Sequence, residues 1–353
     1  MTYQVTVEPT GDVVEVEDGQ TLLDAALRQG VWLPFACGHG TCGTCKVQVL
    51  EGYADAGDAS SFALMDSERD EGKLLACCCL PESDMVIEAD VDVDPDFQGL
   101  PVEDYQGKVV LIEDLSPTIK HIRLELDRPM AFQAGQYINL HVPSIDSTRA
   151  FSIANPPSMS GIIDLHVRKV EGGAGTTWLH DELQVGQSLD VSGPYGQFFV
   201  RKSDPQGAIF IAGGSGLSSP ESMIMDLLEE GDTRPIYLFQ GARNKAELYH
   251  ADHFYQLAEK HDNFHYIPAL NAPLPDDAWE GFVGFVHEAV GQFFEQRCSG
   301  NKAYLCGPPP MIEAAISTLM QSRLFERDIH MEQFLTAADG ATGKVRSALF
   351  KRI

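Results

Sequence analysis

Cys37-Gly-His-Gly-Thr-Cys42-Gly-Thr-Cys45 is the stretch on which the reading of this chain turns. Its C-x4-C-x2-C spacing is one with which three thiolates grip a two-iron, two-sulfide cluster, a fourth coming from further along the chain. A loop wrapped around such a cluster turns tightly and aims backbone N–H groups at sulfur, and Gly38, Gly40 and Gly43 permit those turns. Cys77, Cys78 and Cys79 compete for the fourth place. Cys42-x-x-Cys45 alone would also suit zinc, but zinc sites usually pair two short knuckles of that kind. His39 is not needed as a ligand, because the cysteine count is complete without it and a two-histidine pattern is absent. Six of the eight cysteines fall between Cys37 and Cys79, a clustering that points to metal and not to a disulfide framework.

Outward from this loop, residues 3–95 read as a small α+β domain. Strands alternate at Val5 and Val7 and again at Val14 and Val16, a helix is expected over Thr21–Gln29, and a strand returns at Lys46–Leu50. Asp90 to Asp96, continuing to Gly99 and Pro101, combines charge with turn formers and reads as an exposed linker. Residues 105 to about 200 carry short, turn-punctuated strands (Val109–Ile112, His121–Leu126, Tyr137–Val142, Ile162–Arg168, Ser188–Ser192), as an all-β barrel would. From Ala208 the grammar becomes strand, Gly-rich turn, helix: Ile209–Ile211, then Gly213-Gly214-Ser215-Gly216, then Pro220 in a first turn before Met223–Glu230. This opens a doubly wound α/β domain. The expected limits are 1–95, a linker at 96–102, 103–204 and 205–353.

The chain has 353 residues, 44% of them apolar, enough for two or three well-filled cores. Its 25 basic and 52 acidic residues give a net charge of −27, which repels nucleic acid and anionic membrane surfaces. No apolar run is long enough to span a bilayer, and Met1–Thr10 lacks the features of a signal peptide, so a cytoplasmic location is expected. Residues 1–98 hold 20 acidic and 4 basic side chains. That excess either solubilises the domain or steers it towards a basic partner.

Leu33-Pro34-Phe35-Ala36-Cys37, with Leu75-Ala76-Cys77 and Pro81-Glu82-Ser83-Asp84, resembles the plant-type ferredoxins. The resemblance implies a β-grasp-like fold, a [2Fe-2S] cluster on Cys37, Cys42, Cys45 and Cys77, and Cys78 and Cys79 as buried small apolar residues. Arg149-Ala-Phe151-Ser152, set between Phe132–Tyr137 and Gly193-Pro194-Tyr195-Gly196, resembles the Arg-x-Tyr/Phe-Ser/Thr motif of the ferredoxin-NADP reductase superfamily. By that resemblance the cofactor is FAD, Arg149 pairs with a flavin phosphate, Phe151 lies against the isoalloxazine and Ser152 hydrogen-bonds near N5. A guanidinium fork matches phosphate, and a short hydroxyl accommodates a change of protonation at N5. Phe151 replaces the commoner Tyr and so lacks its phenolic hydrogen bond. Gly173, Gly175 and Thr176, by the same resemblance, open a short helix under the pyrophosphate.

Tyr304-Leu305-Cys306-Gly307-Pro308-Pro309-Pro310-Met311 resembles the Cys-Gly-Pro-x-x-Met signature of that superfamily. It implies that the Cys306 thiol sits beside the nicotinamide C4, while Gly307 and Pro308 shape a close backbone approach and Gly213, Gly214 and Gly216 form the dinucleotide turn. Glu332-Gln333-Phe334 resembles the Glu-x-aromatic element, with Glu332 joining Ser152 and Cys306 in catalysis and Phe334 shielding the flavin. The chain runs on for 19 residues beyond Phe334, so Phe350 is a possible substitute. Arg243, at the end of the second strand of this domain, bears on the choice between NADH and NADPH. Glu247, His250 and His253 sit at helical i, i+3, i+6 spacing, but a di-iron carboxylate centre needs a second Glu-x-x-His, and the three read as a solvated helix face.

Taken whole, including Leu33–Lys46 and Arg346-Ser-Ala-Leu-Phe350, the sequence resembles the reductase components of multicomponent phenol hydroxylases, soluble di-iron monooxygenase systems. That resemblance implies electron flow from NAD(P)H through FAD and the cluster to a di-iron hydroxylase component. The competing readings are an equivalent reductase serving a ring-hydroxylating dioxygenase or another monooxygenase, and a non-enzymatic metal or redox sensor.

Overall fold

The computed structural model describes residues 1–91 and 94–334, and the chain divides into two compact units, Met1–Glu103 and Asp104–Ile353. In the first, β1 (Thr2–Glu8), β2 (Asp12–Glu17), β3 (Lys46–Glu51), β4 (Lys73–Leu75) and β5 (Met85–Glu88) form one sheet in the order β2-β1-β5-β3-β4. The valine alternation does what period two requires: Val5, Val7, Val14 and Val16 all point inward and are fully buried. They pack with Leu22, Leu23, Ala25 and Ala26 of helix α1 (Leu22–Arg28). Thr21 starts that helix, its hydroxyl accepting from the Asp24 N–H at 3.3 Å. The stretch after Gly99 turns back onto the helix, where the Val102 N–H donates to the Leu27 carbonyl at 3.0 Å and the Val102 side chain is buried.

The second unit begins with a six-stranded barrel sheet. Its strands β6 (Glu103–Ser116), β7 (Ile119–Leu126), β8 (Tyr137–Val142), β9 (Ser147–Ser152), β10 (Ile162–Arg168) and β11 (Ser188–Tyr195) run in the order β9-β8-β11-β6-β7-β10. An antiparallel bridge between Ile153 and Leu165 connects the two edges. Val109, Ile122, Leu124, Ile138 and Leu140 fill the interior, and one short helix, α2 (Ala174–Asp181), follows β10.

Six parallel strands complete the unit: β12 (Gly207–Gly213), β13 (Ile236–Ala242), β14 (Phe264–Leu270), β15 (Phe282–Val283), β16 (Asn301–Gly307) and β17 (Ile329–Gln333), in the order β15-β14-β13-β12-β16-β17. Helices α3 (Ser218–Glu229), α4 (Ala251–Lys260), α5 (Val286–Phe293) and α6 (Pro309–Gln321) connect them. Strand β12 is buried along its whole length, as a central parallel strand covered on both faces must be. Strand order reverses between β12 and β16, so the crevice at their carboxyl ends is where an open α/β sheet binds its ligand. The architecture is thus the expected trio of α+β, all-β barrel and doubly wound α/β parts. Among the described residues no helix is long and apolar enough to cross a membrane.

Candidate active site and cluster loop

Pairing of β3 with β4 sets Lys46 against Leu75, and the Ala76 N–H donates to the Cys45 carbonyl at 2.8 Å. This register carries Cys77 to Cys45, sulfur to sulfur 3.2 Å. Cys37 and Cys42 form a second hydrogen-bonded thiol pair. Two pairs of thiols suit two irons with two thiolates each. The loop supplies the dipoles such a centre needs: the His39 N–H points at the Cys37 sulfur at 3.5 Å and the Gly40 N–H at the Cys77 sulfur at 3.2 Å. Gly40 has φ +78°, and a Cβ there would lie 2.6 Å from the Cys78 sulfur, so no other residue fits this turn. Cys79 is fully buried, its carbonyl accepting from the Leu22 N–H at 3.2 Å. The expectation of a buried Cys78 is corrected: it is only half-buried, with its sulfur 3.6 Å from that of Cys77.

In the second unit, Arg149 is exposed and among the described residues bonds only locally, to the Ser147 hydroxyl at 3.1 Å and the Thr148 carbonyl at 2.7 Å. A Cβ on Gly175 would sit 3.7 Å from Cγ of Arg149, so the first turn of α2 and the guanidinium lie side by side. Thr176 ties that turn down, its hydroxyl donating to the Gly173 carbonyl at 3.3 Å and accepting from the Val170 N–H at 3.1 Å. A guanidinium without a carboxylate partner beside a helix start can hold a pyrophosphate. Phe151 is half-buried. Strand register sets Ser152 opposite Tyr137, whose ring stacks on Tyr195 with centroids 5.5 Å apart.

The barrel and the α/β sheet meet at one carboxylate. Oε2 of Glu332, on β17, accepts from the Ser152 hydroxyl of the barrel at 2.9 Å and from the Ser219 hydroxyl at the start of α3 at 3.1 Å; the Cys306 thiol on β16 donates to it at 3.9 Å. Strands β16 and β17 place Cys306 and Glu332 opposite each other in register. Withdrawal from water pushes the Glu332 carboxyl up to about 7, the three donors pulling the other way, and burial raises the Cys306 thiol well above its ordinary value. The group therefore changes protonation near neutral pH while its thiol neighbour stays protonated.

Glycines bring the walls of this site together. A Cβ on Gly216 would lie 2.6 Å from the Cys306 carbonyl carbon, and one on Gly213 2.6 Å from the Met311 sulfur, so the two turns are in backbone contact. Gly214 occupies the left-handed region, with φ +58°. Pro308 precedes α6, and the Phe334 N–H donates to the Gly307 carbonyl at 3.1 Å, which seats that aromatic beside the Cys-Gly-Pro turn. Phe350 and the Arg346–Phe350 stretch lie outside the described residues.

Ser152, Cys306 and Glu332 were all legible as candidates; Ser219 was missed. Its signal was weak, one serine of a Ser218-Ser219-Pro220 run; Ser218 and Ser222 are buried too, and what singles Ser219 out is the bond to Glu332. Arg243 stands apart from this group, exposed and bidentate to Glu247, with Nε 2.9 Å from Oε2. The reading of Glu247, His250 and His253 as one helix face is corrected. Lys245–Glu247 is a separate 3-10 turn, α4 starts only at Ala251, and His250 has φ +59°, its ring nitrogen Nδ1 lying 3.0 Å from Glu221 on α3.

Residues 5–82 match the 2Fe-2S iron-sulfur cluster binding domain family, 106–200 the oxidoreductase FAD-binding domain family and 210–316 the oxidoreductase NAD-binding domain family. The chain is 72% identical to a phenol hydroxylase P5 protein of Acinetobacter pittii and 68% identical to the phenol 2-monooxygenase reductase component of a Pseudomonas species, each over 353 residues and 100% of both chains. Among solved structures it is similar to an Amycolatopsis cytochrome P450 reductase, with a TM-score of 0.84 at 36% identity, covering 95% of this chain and 100% of that one. With three cofactor domains in this order and likeness along its entire length, the chain belongs to the phenol hydroxylase reductase components of the ferredoxin-NADP reductase superfamily.

Proposed function

We propose that this chain is the NADH-dependent reductase component of a phenol hydroxylase, working in the cytoplasm and delivering electrons to an oxygenase whose active centre is di-iron. The observation that carries the reading is the meeting of Ser152, Cys306 and Glu332 on a single carboxylate oxygen where barrel and α/β sheet join. When bound, NADH supplies a hydride, FAD takes up the electron pair and releases it singly, and the [2Fe-2S] cluster carries one electron at a time. Hydroxylation of the aromatic ring takes place on the partner, and this chain handles no phenol.

In this reading Cys37, Cys42, Cys45 and Cys77 hold the cluster. Arg149 and the turn Gly173, Gly175 and Thr176 hold the flavin pyrophosphate, Phe151 lies against its ring and Ser152 stands near N5. Gly213, Gly214, Gly216, Gly307 and Pro308 let the nicotinamide half approach, with Cys306 at its C4 side and Phe334 as the shield. Glu332 takes up or releases a proton near neutral pH, its Oε2 accepting from the two serine hydroxyls when it is ionised. Arg243 lies towards the adenosine ribose, where Glu247 neutralises it and leaves a 2′-phosphate without a free guanidinium, which favours NADH. Domain limits of 1–95, 103–204 and 205–353, with a linker at 96–102, agree with this division of labour. The 20 acidic against 4 basic residues before position 99 suit docking on a basic face of the oxygenase.

The test is a visible spectrum of anaerobically purified protein before and after stoichiometric NADH, with iron, sulfide and flavin measured on the same sample. Two irons and one flavin per chain, both bleaching, followed by reoxidation on adding a phenol hydroxylase oxygenase, are expected. A colourless protein indifferent to NADH would sink the reading. Reoxidation by a dioxygenase component alone would reassign the partner.

A further inference from the structure

A second polar cluster lies in the second unit, apart from Glu332. His166 on β10 of the barrel, Glu221 on α3 and His250 just before α4 each present one ligand-type atom, all within 4.8 Å of one another. We propose that these three side chains form a divalent transition-metal site of the His-Glu-His type, with zinc the best-suited ion, that ties the barrel to the α/β sheet.

The donor set is that of a three-ligand zinc site, two imidazoles and a carboxylate with a fourth position for water. Each ligand is held. The Tyr249 hydroxyl donates to the Gly214 carbonyl at 3.1 Å and lies 3.2 Å from Nδ1 of His166. With its proton spent on that carbonyl, the hydroxyl accepts from Nδ1–H, which leaves the lone pair of His166 on Nε2. Such a second contact on a ring nitrogen is what fixes the tautomer of a ligating histidine. No other hydrogen bond to His166 is found among the described residues.

Among the described residues Glu221 accepts from His250 alone, whose Nδ1 lies 3.0 and 3.1 Å from its two oxygens. Burial opposes ionisation of Glu221, but the hydrogen bond with His250 outweighs it and holds the carboxyl below its ordinary value. Burial holds His166 down at about 4, so this imidazole is neutral, as a ligand must be, at physiological pH. The carboxylates beyond the cluster do not compete for the ion. Asp164 is occupied by His121 at 2.8 Å and by both Nε and Nη2 of Arg123, and Glu113 lies 3.0 Å from His121. Of the three, His250 is the most open to solvent, its side chain 26% exposed against 12% for Glu221, while His166 is buried.

Binding would connect three elements that are far apart in sequence, and so raise the melting temperature of the holoprotein. The experiment uses holoprotein with flavin and iron intact, stripped of loosely held metal by a chelator, titrated with zinc sulfate and desalted. Zinc, iron and flavin are counted on the same sample. One zinc per chain with unchanged iron and a raised melting temperature is expected for the wild type. Glu221→Gln and His250→Asn should each weaken zinc binding by more than about 100-fold, the loss of a direct ligand exceeding that of an outer partner. His250→Asn is the decisive variant if Glu221→Gln loses its flavin, because asparagine accepts the left-handed backbone at this position. Zinc uptake by the variants equal to wild type, uptake only at the expense of iron, or no uptake by the wild type would each overturn the proposal.

Discussion

Ser219→Ala should move the pH profile of flavin reduction to higher pH, and the size of the move follows from the hydrogen bonds to Glu332. The carboxylate accepts two hydroxyl donors, Ser152 at 2.9 Å and Ser219 at 3.1 Å, and these oppose the burial that raises its midpoint to about 7. A hydrogen bond to a charged group contributes about 1.5–3 kcal/mol. At about 1.4 kcal/mol per pH unit, losing one donor raises the midpoint by about one to two units. Ser219 is fully buried, so water does not replace the lost hydroxyl at once. The wild-type inflection near 7 should therefore appear between about 8 and 9 in the variant. The assay is anaerobic stopped-flow bleaching of the flavin by saturating NADH, at closely spaced pH values, with flavin and iron content checked first. Glu332→Gln provides the control, because it removes the titrating group and should flatten the profile. An inflection that stays put in Ser219→Ala, or survives in Glu332→Gln, would refute the assignment of this group to the proton balance.

Three further outcomes are expected. Cys77→Ser should lose iron and sulfide, whereas Cys78→Ser and Cys79→Ser should keep them; iron loss in Cys78→Ser with retention in Cys77→Ser would move the fourth ligand by one residue. Burial alone would raise Asp164, but hydrogen bonds from His121 and Arg123 hold it at about 2, so its contribution to stability is present above its ordinary value of 3.8 and is lost as pH falls towards 2. Asp164→Asn should cost about 3 kcal/mol by taking the carboxylate from Arg123 and leaving His121 with Glu113 alone, and unfolding curves at neutral and acid pH should show the gap between variant and wild type narrowing on acidification. Glu247→Gln should release Arg243 for a 2′-phosphate and raise kcat/KM for NADPH about tenfold while leaving that for NADH nearly unchanged. An unchanged NADPH value would leave Arg243 as a surface charge.

Much of the fold was legible because its signals are local. Val5, Val7, Val14 and Val16 alternate with period two, Thr21 caps a helix one residue before it starts, and the turn at Gly213–Gly216 sits between a buried strand and a helix. The candidate site was legible where motif and register coincide, as for Cys306 and Glu332 on adjacent parallel strands. What stayed hidden depends on distant packing. Ser219 gains its meaning from a carboxylate 113 residues away, and His250 from a left-handed backbone that turns its ring off the helix face its spacing suggested. Cys78 looked like its neighbour Cys79 in sequence, yet the Cys77–Cys79 turn buries only the latter completely.

The cysteine loop and the Glu332 cluster, the two proposed redox sites, are built on opposite electrostatic plans, which predicts where each will be sensitive. Around the cysteine loop the stabilising groups directed at sulfur are backbone N–H dipoles, and two nearby cations are already engaged, Lys46 by Glu68 at 2.5 Å and Arg69 by the Ala59 carbonyl at 2.8 Å. The surrounding surface keeps its negative charge for a partner to neutralise, so electron delivery to the oxygenase should slow as ionic strength rises. The cluster around Glu332 instead holds one ionisable carboxylate among neutral donors, largely withdrawn from solvent, where salt has little reach and a single proton changes the local charge by a full unit. Flavin reduction by NADH should accordingly follow pH and be nearly indifferent to salt. Because hydride transfer delivers a proton together with two electrons whereas the cluster passes on electrons alone, a group that can take up or release that proton belongs at the first site and not at the second.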